Sequence, residues 1–269
     1  PMRPVETALI THAHADHARS GSGTYWCAAR GAELLRQRVD PGHAAELQPV
    51  PYGEQRYING VRCSWHSAGH VLGSAQIRLE AEGQVWVVTG DYKRAPDPSC
   101  DPFEVVECDV LVSEATFGVP VYRWPDGDAV ARDALAWWRQ NAAKGVPSVL
   151  YAYSLGKAQR LLAHFARLGG VDGPLLVHRA AANLCRAYER QGVDLGRWAV
   201  FDPDDPASTP KGALVIAPPS SDGGHWLKRL KARTAYVSGW MRVRGNRRRR
   251  AVDRGFIMSD HADWPALVR

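Results

Sequence analysis

An α/β protein is predicted, in which a β-rich domain that carries a metal centre is interrupted by a second, parallel α/β domain. Three observations lead there. Residues 11–17 read Thr-His-Ala-His-Ala-Asp-His directly after the apolar run Ala8-Leu9-Ile10. Residues 1 to about 120 hold short strand-like runs punctuated by Gly, Pro and Asp, as in half of a β-sandwich. From Asp128 onward, helix-spaced and strand-like segments alternate, a pattern that implies a parallel sheet with helices on its faces.

The first segment carries the chemistry. Ala8-Leu9-Ile10 suits a short buried strand, so the polar cluster sits where that strand ends and a loop begins. Side chains two apart on an extended segment point the same way. His12 and His14 can therefore grip one ion while Asp16 and His17, past a bend, reach a second. Imidazole plus carboxylate is a donor set that suits zinc and its neighbours among the divalent ions.

This cluster resembles the HxHxDH signature of the metallo-β-lactamase superfamily. The resemblance implies a further histidine on a later loop and a bridging aspartate at the end of another strand. His70 in Ser67-Ala68-Gly69-His70-Val71-Leu72-Gly73-Ser74-Ala75 and Asp91 after the apolar Val85-Trp86-Val87-Val88 match that order. By the same resemblance His12, His14 and His70 hold one ion, Asp16 and His17 the other, and Asp91 bridges both; zinc is favoured and manganese is the alternative. A pair of divalent ions about 3.5–4 Å apart makes hydroxide from water near neutral pH and polarises a phosphate or carbonyl group. The donor set alone leaves lactam, thioester and phosphodiester substrates open.

Three further blocks point to nucleic acid. Leu111-Val112-Ser113-Glu114-Ala115-Thr116-Phe117-Gly118 resembles motif A of the β-CASP branch, Leu155-Gly156-Lys157-Ala158-Gln159-Arg160 resembles the helix start of its inserted domain, and Met258-Ser259-Asp260-His261-Ala262-Asp263-Trp264 resembles its motif B. The resemblance implies a metallo-β-lactamase αββα sandwich with an inserted β-CASP α/β domain. The expected boundaries are 1–120 for the first part of the sandwich, 121–250 for the insert and 251–269 for the return. It also implies a catalytic set of Asp16, Glu114 and His261, with Glu114 orienting a ligand or water and His261 contacting the scissile phosphate or protonating the leaving oxygen. Gly90-Asp91-Tyr92-Lys93-Arg94 and Gly239-Trp240-Met241 narrow the resemblance to the bacterial ligase-associated DNA exonucleases. The implied partners are then DNA rather than RNA, an ATP-dependent DNA ligase and a helicase. The competing readings are an RNA-processing ribonuclease of the same branch, a catalytically silent nucleic-acid binder, and a small-molecule hydrolase that shares only the first cluster.

Composition agrees with a polyanionic partner. The formal net charge is +6, with 34 Lys and Arg against 28 Asp and Glu among 269 residues. Arg242-Val243-Arg244-Gly245-Asn246-Arg247-Arg248-Arg249-Arg250 places six arginines in nine positions just before the His261 block. Guanidinium groups bind phosphate in a bidentate fork, so Arg242, Arg244, Arg247 and Arg248, with Lys157, are the expected backbone contacts; Tyr122, Arg123 and Trp124 could stack on or steer a strand end. No apolar run approaches the roughly 18 residues of a membrane span, and no signal-peptide core opens the chain, which gives the expectation of a cytoplasmic protein away from the membrane. The five cysteines form no CxxC pair and read as reduced, mostly buried thiols.

Within the insert, Asp128–Ala143, Lys157–Leu168 and Ala180–Gln191 read as helices, and Val149–Tyr153, Leu175–His178, Leu214–Ala217 and Ala235–Ser238 as strands; Pro203–Pro206 reads as a surface loop. His43, His66, His164, His178 and His225 fall outside the motifs and are expected as surface or core residues, with His178 placed to line a cleft. The family pattern continues beyond motif B to a further histidine, and its opening strands are longer. The sequence ends at Arg269 before that histidine, so a trimmed segment of a longer protein is expected.

Overall fold

The computed structural model describes residues 3–39, 46–243 and 252–269, and among them the chain is α/β, with its strands in three sheets. It divides into two compact units, residues 1–119 with 260–269, and residues 120–259.

The first unit holds two sheets. β1 (Thr7–Leu9), β2 (Thr24–Ala28) and β3 (Glu46–Val50) pair in parallel in that order, with helix α1 (Ala32–Arg38) between β2 and β3 in the chain. β4 (Gln55–Ile58), β5 (Val61–Ser67), β6 (Ala75–Ala81) and β7 (Gln84–Val88) form an antiparallel meander, and β8 (Val110–Val112) adds to β7 in parallel. Two of the meander's turns are two-residue loops, Asn59-Gly60 and Glu82-Gly83, with φ of 50° and 80°, and 53° and 76°. Positive φ at both central residues is the turn whose twist matches paired strands. Period-two alternation then puts Cys63, Trp65, Ala75 and Ile77 on one face, where they pack against Ala28 and Val50 of the other sheet. Trp65 is fully buried and its ring stacks on Trp26, 6.3 Å between centroids. A short helix, α6 (Trp264–Leu267), belongs to this unit as well; Ala262, Ala266 and Leu267 pack with Ala68, Tyr92 and Phe103.

In the second unit, α2 (Gly127–Ala142), β9 (Ser148–Tyr151), α3 (Lys157–Arg167), β10 (Leu175–His178), α4 (Arg179–Arg190), β11 (Ala199–Phe201), β12 (Leu214–Ala217), α5 (His225–Leu230), β13 (Arg233–Val237) and β14 (Arg254–Phe256) follow one another. The six strands lie in the order β11-β10-β12-β9-β13-β14, every neighbouring pair parallel. All residues of β9 and β12 are buried, as a parallel sheet covered on both faces requires. Arg254–Phe256 pairs with β13, which keeps the chain in the second unit through Ser259. Among the described residues no helix is long and apolar enough to cross a membrane.

The start of α2 shows how this unit is pinned. Asp126 caps the helix by accepting from Ala129 N at 2.9 Å, and Asp128 in the first turn binds His164 Nδ1 at 2.7 Å and Arg167 Nη2 at 2.7 Å on α3. Burial would raise the Asp128 carboxyl, but the hydrogen bonds from Arg167 and His164 outweigh it and hold the group below the usual carboxylate range. A depressed folded value means stability that is present above the unfolded pKa and is lost as pH falls through the folded one. Asp128→Asn is therefore expected to lower stability near neutral pH by about 1 kcal/mol, since Arg167 is half exposed and screened. It should also flatten the fall in melting temperature on acidification below about pH 4. A calorimetric pH series in which the variant's deficit stays constant into acid would contradict the pairing.

Candidate metal centre

β1 hands the chain to the cluster. Its pairing with β2 continues one residue further through Ile10 N to Trp26 O at 2.8 Å, and Ala75 N at the head of β6 donates to Thr11 O at 2.8 Å, which fixes the backbone on which His12 follows. The loop between β5 and β6 supplies His70. Ser74 Oγ accepts from His70 N at 3.0 Å and Val71 N at 3.2 Å, and Gly69 and Gly73 bracket the turn with positive φ. A Cβ on Gly69 would stand 2.3 Å from Lys93 O, so only glycine fits there. Asp91 follows β7, and Glu114 follows β8.

These elements bring the expected ligands together. His14 Nδ1 lies 3.0 Å from His12 Nε2 and 3.1 Å from His70 Nε2, and Asp91 Oδ2 lies 3.6 Å and 3.7 Å from those same Nε2 atoms. The other carboxylate oxygen, Asp91 Oδ1, is 3.5 Å from His17 Nε2, which in turn is 3.8 Å from Asp16 Oδ2. Asp91 thus offers one oxygen to each group. Asp16 is the outlying member, its side chain 77% exposed.

The tautomers follow from the outer partners. His70 Nδ1 donates to the Asp260 carbonyl at 2.7 Å, which leaves Nε2 as a bare lone pair. Burial first, and the neighbouring imidazoles after it, hold His12 well below the usual histidine range; burial does the same to His70. The Nε2 atoms of His12 and His70 each stand about 3 Å from His14 Nδ1, an arrangement that suits a shared cation. Four donors around a tetrahedral ion at 2.0–2.1 Å stand roughly 3.3–3.4 Å apart. The observed spacings bracket that value, so His12, His14, His70 and Asp91 fit a divalent ion; all four donor atoms lie within 4.8 Å of one another.

Beside this group Glu114 and His261 form a pair. Glu114 Oε2 accepts from His261 Nδ1 at 2.9 Å and Oε1 accepts from Tyr92 N at 2.8 Å. Burial alone would lower His261, but the Glu114 bond and the Asp260 and Asp91 carboxylates outweigh it and raise the imidazole above its usual range. Burial raises Asp91 against the pull of His261 and His17.

The expected nucleic-acid residues fare differently. Lys157 is 3% exposed with its ammonium 5.8 Å from the Tyr153 ring, a buried cation rather than one that faces solvent. Arg242 is exposed and its Nε donates to Val121 O at 3.1 Å. Arg244, Arg247 and Arg248 lie outside the described residues. Tyr122 stands 5.8 Å from both Trp124 and Trp240. His178 accepts from Ala180 N at 3.2 Å, as the cap of α4. His66 lies between Ser64 and Glu104, each at 2.9 Å. Sequence reasoning passed over Thr11, whose hydroxyl lies 3.2 Å from His12 Nδ1 and 3.3 Å from His17 Nδ1, and over the Asp260 carbonyl, which carries no side-chain signal.

Several relatives of the chain are β-CASP nucleases of the metallo-β-lactamase superfamily. No family profile matches the chain itself. It is 34% identical to a probable DNA ligase of Opitutus terrae over 99% of its own length and 26% of that protein's, and 26% identical to an RNase J-like protein of Methanocaldococcus jannaschii over 60% and 43%. It therefore spans less than half the length of either relative. A crystal structure of a protein of unknown function from Enterococcus faecalis shares the fold, with a TM-score of 0.62 over 96% of this chain and 70% of that one at 11% identity.

Proposed function

We propose that the chain is the nuclease part of a metal-dependent phosphodiesterase that shortens DNA from an end. The observation that carries this reading is the arrangement around Asp91, whose two oxygens face His12 and His70 on one side and His17 on the other. In this reading the two-sheet unit is the metallo-β-lactamase domain and the parallel unit the β-CASP domain. His12, His14, His70 and Asp91 would hold one divalent ion, zinc by the excess of imidazole or manganese in its place, and His17, Asp16 and Asp91 a second. Bound ions supply a hydroxide near neutral pH and neutralise charge on the phosphate.

The chain's own groups do the rest. His261 Nε2 protonates the leaving oxygen, because Nδ1 is held by Glu114. Glu114 positions that ring through two fixed acceptances, from His261 and from Tyr92 N. Arg242 and the arginines after it neutralise the phosphate backbone without reading sequence, so binding weakens steeply with salt. DNA as substrate, and a DNA ligase as companion, are supported by the relative that matches nearly the whole chain and is named a DNA ligase. RNA processing is the second reading, favoured by the RNase J-like relative.

The test is hydrolysis of end-labelled single- and double-stranded DNA beside matched RNA, with zinc or manganese added. Stepwise shortening of DNA from one end is the expected result and gives the polarity. Cleavage of RNA alone would shift the substrate to the second reading. Silence on every substrate with metal bound would leave a nucleic-acid binder in place of a nuclease.

A further inference from the structure

We propose that Thr11 is a positioning residue shared by the two metal sites, its hydroxyl oxygen fixing one imidazole of each. Thr11 Oγ1 lies 3.2 Å from His12 Nδ1 and 3.3 Å from His17 Nδ1. The other nitrogen of each ring points at the centre. His12 Nε2 faces His14 and Asp91 Oδ2, and His17 Nε2 faces Asp91 Oδ1 and Asp16. A ring that gives its Nε2 lone pair to a cation must carry its proton on Nδ1. A hydroxyl oxygen has two lone pairs and can accept from both rings at once. The two imidazoles accordingly lie close, with centroids 4.1 Å apart and planes 39° from each other.

The backbone keeps the hydroxyl in place. Thr11 O accepts from Ala75 N at 2.8 Å, next to Ser74, whose Oγ holds the backbone of the His70 turn. Gly90 leaves the room. Its φ is +55°, and a Cβ there would stand 2.6 Å from Thr11 Cβ and 2.7 Å from Oγ1. The residue just before bridging Asp91 is thus a glycine because the threonine occupies the space beside it.

This inference rests on the metal-centre reading and extends it, since one small side chain joins the two sites. Partners that orient metal-bound histidines typically contribute 10–100-fold to metal affinity. Thr11→Val keeps shape and volume but cannot accept a hydrogen bond, while Thr11→Ser keeps the oxygen. Zinc content and affinity, read by chelator competition, are compared in the natural chain, T11V, T11S, Gly90→Ala and Asp91→Ala. The expected result is two ions in the natural chain, weaker binding of both by about 10–100-fold in T11V, recovery in T11S, and a loss in G90A that follows T11V. Melting curves of the metal-free proteins separate a positioning role from a folding one: T11V should melt close to the natural chain.

Two zinc ions bound by T11V as tightly as by the natural chain, with D91A deficient, would overturn the Thr11 role and leave the metal centre standing. T11V weakened at one site alone would overturn the shared role. A natural chain that binds no zinc, or a D91A protein that binds it normally, would overturn the metal-centre reading and this inference with it.

Discussion

Asp91→Ala is expected to abolish phosphodiester hydrolysis and to leave the protein short of metal. The Asp91 carboxylate turns one oxygen to each ligand group, with Oδ2 3.6 Å from His12 Nε2 and Oδ1 3.5 Å from His17 Nε2. Without it His12, His14 and His70 confront one another with no carboxylate in their group to offset a doubly charged ion. Metal polarisation is worth several kcal/mol of transition-state stabilisation, which at about 1.4 kcal/mol per decade is a loss on the order of 1,000-fold or more. The fold should not suffer. Burial pushes the Asp91 carboxyl upward, which means that the folded state disfavours its charge, so the metal-free variant is expected to melt no lower than its parent. Elemental analysis, a melting curve and the end-labelled DNA assay decide together. A variant that hydrolyses at near-normal rate would rule out the bridging role.

His261→Ala is expected to slow turnover by about 100- to 10,000-fold while metal content stays unchanged, the range for loss of a well-placed proton donor. The contrast with Asp91 is the informative part. His261 is tied through Nδ1 to Glu114, and its ring stands 4.7 Å from that of His70 between centroids. Glu114→Gln keeps the size of the side chain and its acceptance from Tyr92 N but cannot stabilise a charged imidazole, so a smaller fall in kcat than that of His261→Ala, with KM little changed, is expected. A loss of metal in either variant would place these residues among the ligands.

The site was legible where its chemistry is written in side chains close in sequence. His12, His14, Asp16 and His17 fall within one loop, and His70 and Asp91 stand at the ends of segments whose Gly punctuation or apolar run announces them. The alternation in the second unit was legible for the same reason, since strands buried on both faces read as unbroken apolar runs. What stayed hidden depends on groups without a sequence signal. The Asp260 carbonyl that orients His70 is backbone, and the role of Thr11 depends on two rings turning the same way. Arg254–Phe256 is three residues long and pairs parallel to the strand before it, a pairing that periodicity cannot reveal. Lys157 looked like a phosphate contact by residue type, and only packing discloses that it is buried.

The bond from His70 to the Asp260 carbonyl closes 190 residues of chain, and the bond from Glu114 to His261 closes 147. The ligands from His12 to Asp91 leave the ribosome before the second unit, but the groups that aim His70 and complete the Glu114 pair come after the whole of it. Loops of that span close late. A nascent chain therefore carries the histidine cluster before it carries a finished centre.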